Sequence, residues 1–160
     1  MSLSHLKAIS VLQPWAWLLS HDFKDVENRR WRTNYRGEVL IHAGKKWGPE
    51  QIADLNYVRL QFPEIELPDH FDRGGVVGKA TLTDCVERST SPWFFGPFGF
   101  VMRDAVVLPF TPCKGALGFF SLPEGVHIEA PNVALPPPPA PPEREEPWGM
   151  IERRQNPDWA

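Results

Sequence analysis

Residues 24–43 read KDVENRRWRTNYRGEVLIHA, two extended segments on either side of a turn. From Asp25 to Trp31 the residues alternate, so Glu27, Arg29 and Trp31 project to one face of a strand and Val26, Asn28 and Arg30 to the other. Tyr35-Arg36-Gly37 supplies the turn, and Glu38 to Ala43 (EVLIHA) predicts a strong second strand.

On the N-terminal side, Lys7 to Leu12 predicts a short early strand. Pro14 then stands in the first turn of a helix, where its missing N–H costs nothing. Trp15, Leu18 and Leu19 recur at i, i+3 and i+4 and give that helix one apolar face, with His21 and Asp22 ending it. On the C-terminal side, Gly48-Pro49-Glu50 starts a second helix whose inner face is read as Ile52, Leu55 and Val58. Gln61 to Asp72 is a loop rich in proline and acids. Gly75 to Cys85 alternates as a half-buried strand with Gly78 at a bulge. SPWFFGPFG, residues 91–99, is an aromatic loop, and Phe100 to Leu108 and Ala116 to Leu122 complete the strands. Five or six short strands and two main helices that do not alternate regularly argue against a doubly wound parallel sheet. They predict an α+β domain around a small mixed β-barrel.

The 160 residues make one domain's worth of chain. With 42% apolar and 12% aromatic residues most of it can bury a core. Ten of the 18 prolines lie from Pro123 onward, which places a domain at 1–123 and a Pro-rich acidic tail at 124–160. The tail's PNVALPPPPAPP favours polyproline II, which a partner with an aromatic groove can bind and which also serves as a linker. Trp148, Met150, Ile151 and Trp159 are unusual for a solvated tail and can pack back on the domain or across a dimer. Eight of 17 Lys and Arg fall between Lys7 and Lys46 against four acids, although the net charge is −3. That local excess suits an anionic ligand, or simply a solvated charged face. Cys85 and Cys113 have no CxxC spacing and read as reduced thiols. With no signal peptide and no membrane-length apolar run, a cytoplasmic location is expected.

Lys24, Glu27 and Arg29 bring an ammonium, a carboxylate and a guanidinium within six residues. Arginine offers a fork for phosphate or carboxylate. Glu27 can accept from a base's amino group, orient Lys24 or act as a general base. By itself the trio is also what a surface ion-pair strip looks like. Trp15 and Trp17 are two apart on a helix and cannot share a face, so one belongs to the core and the other to the cleft border; Trp15 is assigned to the cleft. Trp93, if exposed, is a stacking platform for a base; the alternative is a loop folded over the core. Arg36, Lys45 and Lys46 can reach phosphates. His42 shares the face of Leu40 and reads as a satisfied buried histidine. His21, His42 and His70 lack zinc spacing, and there is no phosphate-cradling glycine loop or GxSxG elbow, so no metal and no cofactor are expected.

The run Ile9 to Leu19 (ISVLQPWAWLL), followed by residues 24–43, resembles the opening of ASCH domains, a family of the PUA-like superfamily with a GxKxxExR signature. The signature falls on Asp22, Lys24, Glu27 and Arg29, with Asp22 in place of glycine, and aspartate tolerates the left-handed conformation better than most residues. The resemblance continues through GGVVGKATLTDC, SPWFFGPFGFVM and KGALGFFSLP and covers residues 7–123. It implies a β-barrel with a cleft lined by the signature, and RNA binding, RNA cleavage or hydrolysis of an acylated cytidine nucleoside. The amidohydrolase branch uses a lysine and a threonine, and the threonine position holds Glu27 here. Binding of RNA or a modified nucleobase or nucleoside by Lys24, Glu27, Arg29, Trp15, Arg36, Lys45, Lys46 and Trp93 is therefore the first expectation. The second is a hydrolase with Lys24 and Glu27 as catalytic residues.

Overall fold

The computed structural model describes residues 2–131. Six strands and two helices follow in the order β1 (Ala8–Val11), α1 (Trp15–Ser20), β2 (Val26–Arg29), β3 (Gly37–Ala43), α2 (Pro49–Gln61), β4 (Gly75–Val86), β5 (Phe98–Pro112) and β6 (Phe119–Phe120). They form one curled sheet in the order β2-β5-β4-β3-β1-β6. Only the β1–β3 pair is parallel; the other four neighbours run antiparallel. This is the expected α+β domain around a small mixed barrel, with the sheet curled into a half-barrel.

The two long strands would make a flat ribbon were they regular. Their pairing slips three times, between Val76 and Gly78, Lys79 and Thr81, and Leu82 and Asp84, and each irregularity adds bend and twist. Asp104 lies at one slip with φ +53°, and Gly78 at another, the predicted bulge. A Cβ on Gly78 would meet Ser20 Oγ at 2.5 Å, so the missing side chain lets α1 lie directly on β4. β5 runs past Leu108 through Pro109, which falls within a slip and so takes no ladder hydrogen bond from the register.

Period two sorts the central strands between two cores. Ile9, Val11, Val39 and Ile41 point into the curl with Leu82, Phe100 and Met102, closed off by Ala16 and Leu19 of α1. Their neighbours Ala8 and Leu40 point outward to Val76, Leu108, Phe120 and Ile128. Both faces of EVLIHA are thus covered, which explains its unbroken apolar character. Packing continues past residue 123: Ile128 is buried and Ser2 bridges to Glu129. The proline run and Trp148, Met150, Ile151 and Trp159 lie outside the described residues.

A third core joins Leu18, Val26, Val58 and Trp93. Here α2 corrects its expected phase. Gln51, Leu55 and Val58 are its buried residues, while Ile52 is 47% exposed. Gln51 sets that phase, because its Oε1 accepts the N–H of Gly48 at 2.9 Å and ties the side chain to the helix start. No described helix is long and apolar enough to cross a membrane.

Candidate functional site

The site begins where α1 ends. Phe23 and Lys24 both donate their backbone N–H to the Leu18 carbonyl, turning the chain sharply toward β2. Asp22 sits in this turn at φ +62°, the left-handed conformation that the signature glycine would take freely. The substitution therefore preserves the turn.

The turn drives Lys24 inward until it is 4% exposed, and the β2 alternation brings Glu27 in beside it at 7%. Lys24 Nζ donates to Glu27 Oε1 at 2.8 Å, and Arg29 Nη2 pairs with Glu27 Oε2 at 3.1 Å. Each carboxylate oxygen thus faces a different cation, and the cluster keeps one net positive charge. Burial works against the charge on Glu27, but Lys24 and Arg29 outweigh it and hold the carboxyl below its ordinary range. Lys24 Nζ also lies 5.3 Å from the Trp15 ring centroid, within cation–π reach. Trp15 is half-buried and donates its indole N–H to Asp54 Oδ2 at 3.1 Å.

Arg29 has a second engagement. Its Nη2 donates to the Ser10 carbonyl at 2.7 Å, although β2 and β1 are not ladder neighbours. Its Nε is buried without a hydrogen-bond partner among the described residues.

The structure therefore joins Trp15, Lys24, Glu27 and Arg29 and engages the other expected ligand residues elsewhere. Arg36 is bonded to the carbonyls of Thr33 and Tyr35 and lies 3.7 Å from Asp84. Lys46 faces Glu50 at 3.9 Å, and exposed Lys45 receives Arg73 on its carbonyl. Trp93 corrects the expectation of an exposed platform. It is 4% exposed, stacked on Phe62 at 3.9 Å and meeting Trp15 edge-to-face at 6.4 Å. Its loop is tied inward: Ser91 Oγ donates to Asp25, Asn28 Nδ2 donates to the Trp93 carbonyl, and Asn28 Oδ1 accepts from Phe95 and Gly96.

Asn28, Asp54 and Ser10 are the residues that the sequence reading passed over. Asn28 did carry a signal, an amide side chain in a strand, opposite in phase to the charged trio. The contacts of Asp54 and of the Ser10 carbonyl are long-range and left none. His42 is the expected satisfied histidine. Its Nε2 lies 2.8 Å from the Cys113 carbonyl, which can only accept, so Nδ1 accepts from Ser10 Oγ at 3.0 Å. On the other flank of α1 an open groove of about 260 Å³ is lined by Gln13, Trp17, His21, His70, Asp72 and Phe110 among others; Lys24 is not part of it. Cys85 and Cys113 are free thiols. Among the described residues no group of three or more His, Cys, Asp or Glu is arranged to hold a metal.

Comparison with known proteins identifies what the chain is similar to. Residues 9–100 match the family model described as ASCH domain. The chain is 32% identical over 132 residues to activating signal cointegrator 1 of Homo sapiens, which covers 74% of this chain and 22% of that protein. It is 36% identical over 83 residues to the protein of the same name in Mus musculus, covering 50% and 14% respectively. The chain spans about a fifth or less of the length of these relatives.

Proposed function

The chain belongs to the ASCH domain family, and from that premise we propose that it binds RNA, or a nucleobase or nucleoside derived from it, at Trp15, Lys24, Glu27 and Arg29. One observation carries the reading. A single buried carboxylate holds two cations in place, one of them against a half-buried indole, so positive charge and an aromatic ring stand together. Cations fixed before the ligand arrives need not be ordered on binding. Arg29, with 22% of its side chain exposed, is the member an incoming phosphate or base edge meets first. The name shared by the two relatives describes proteins several times longer, and their cointegrator role is not carried over.

Hydrolysis in the same place is the weaker reading. It asks Glu27 to act as a base, and both of its carboxylate oxygens are already engaged, one by Lys24 and the other by Arg29.

The test is binding of a fluorescent single-stranded RNA by wild type, Lys24→Met and Arg29→Gln, each with a thermal melt. At least a tenfold loss of affinity by folded variants supports the site. Unchanged affinity with a lowered melting temperature would make the trio structural only.

A further inference from the structure

Where β2 ends, guanidinium side chains gather. Arg30, Arg32 and Arg36 leave the β2–β3 connection, and Arg88 follows β4. The pairings Arg29↔Phe98 and Val86↔Gly99 set the ends of β2 and β4 on either side of the start of β5, so these residues share one rim. Arg32 lies 5.2 Å from the Phe98 ring centroid and 2.8 Å from Glu87, and Arg36 lies 3.7 Å from Asp84. Arg30 and Arg88 are exposed, and among the described residues neither enters an ion pair. Four guanidiniums against Asp84 and Glu87 leave a local charge of +2, in a protein whose net charge is −3.

Two large aromatic side chains stand open on the same rim. Phe95 is 62% exposed, yet its backbone N–H is fixed to Asn28 Oδ1 at 2.8 Å. Trp31 is 37% exposed and held edge-on by Phe100 at 5.0 Å and Phe119 at 5.6 Å. Exposed aromatics on anchored backbone, in segments that also carry exposed guanidiniums, match the combination that binds single-stranded nucleic acid: charge along the backbone and rings against unpaired bases. A duplex keeps its bases stacked and withholds them from such rings. An acidic peptide would neutralise the arginines and leave the aromatics unused.

We propose that this arginine–aromatic rim carries a single RNA strand onward from the Lys24–Glu27–Arg29 site, with Arg30 and Arg88 on phosphates and Phe95 and Trp31 against bases. The proposal rests on the reading of that site as an RNA site and extends it from one nucleotide to a strand.

The experiment titrates the full chain with a fluorescent single-stranded RNA of about twelve nucleotides, its duplex, a trinucleotide and a polyglutamate peptide, over a range of salt. The double variant Arg30→Ala/Arg88→Ala changes only exposed side chains. It should bind the long strand at least tenfold more weakly, with the slope of log affinity against log salt reduced by about 1.4, two contacts at about 0.7 each. Phe95→Ser should weaken the long strand about fivefold or more while leaving that slope unchanged, and the trinucleotide should be indifferent to both. Undiminished long-strand binding by the double variant, or duplex or polyglutamate binding equal to that of the single strand, overturns the rim. If Lys24→Met alone weakens binding, the site stands and the rim falls; if only the rim variants do, the rim stands and the site falls. A wild-type protein that binds no RNA removes both.

Discussion

The Arg29 guanidinium spans from β2 to the Ser10 carbonyl in β1, a 2.7 Å hydrogen bond between strands that no ladder joins. β6 pairs β1 only at Ala8 and Ile9, leaving the edge of β1 open from Ser10 onward. A side chain thus supplies the closure that backbone pairing leaves undone, and the same guanidinium meets Glu27. Closure of the curl and charge at the site are one residue's task.

Arg29→Ala should therefore cost stability as well as affinity, about 1–3 kcal/mol for a charge-assisted hydrogen bond and its buried acceptor. Arg29→Lys keeps a cation but has a shorter side chain than the one whose Nη2 meets both Glu27 Oε2 and the Ser10 carbonyl, and it should fall between wild type and alanine. Urea unfolding measures both; an alanine variant as stable as wild type would mean that the Ser10 contact contributes nothing.

Glu27→Gln should be more damaging at neutral pH, by about 3 kcal/mol, because Lys24 and Arg29 lose their buried counter-charge. The folded carboxyl titrates below its ordinary 4.5, so its contribution is complete above that value and is lost as pH falls through the folded-state value. The stability gap between wild type and variant should narrow as urea melts are moved from about pH 7 to about pH 3. A gap that is constant or wider in acid would show that Glu27 is not the ionised partner.

Trp93→Ala should destabilise the domain by about 3–5 kcal/mol, the usual cost of emptying a large aromatic site. The part of the protein that remains folded should keep most of its RNA affinity, since the ring lies against Phe62 behind Trp15. Affinity lost in full at unchanged stability would restore Trp93 as a ligand-facing ring.

Asn28→Ala removes three hydrogen bonds to the 93–96 loop and leaves the Phe95 and Gly96 amides without their acceptor. Hydrogen exchange at those two amides should accelerate at least tenfold, with about 2 kcal/mol lost overall. Exchange at the wild-type rate would show that the loop holds itself.

Much of this was readable from local sequence. Most of the strands, both helices, the bulge at Gly78 and the meeting of Trp15 with Lys24, Glu27 and Arg29 follow from alternation, helix punctuation and short separations along the chain, whereas the strand expected over Ala116 to Leu122 pairs only at Phe119 and Phe120. What escaped was set by distant partners. Trp93 is buried because Phe62, 31 residues earlier, offers it a face, and nothing near Trp93 says so. The phase of α2 was misjudged at Ile52 because apolarity was weighed over the tie from Gln51 to Gly48. Arg29's second acceptor is a backbone carbonyl, which has no residue type to recognise.

The strand order has a temporal consequence. β2 has a backbone ladder only with β5, so Lys24, Glu27 and Arg29 leave the ribosome some seventy residues before Phe98 to Val101, the strand segment that pairs with β2. Until then the three charges are solvated like any others, and no early fragment can hold them in register. Their assembly is a late event of biosynthesis, and a chain interrupted before β5 would carry every residue of the signature without possessing the site.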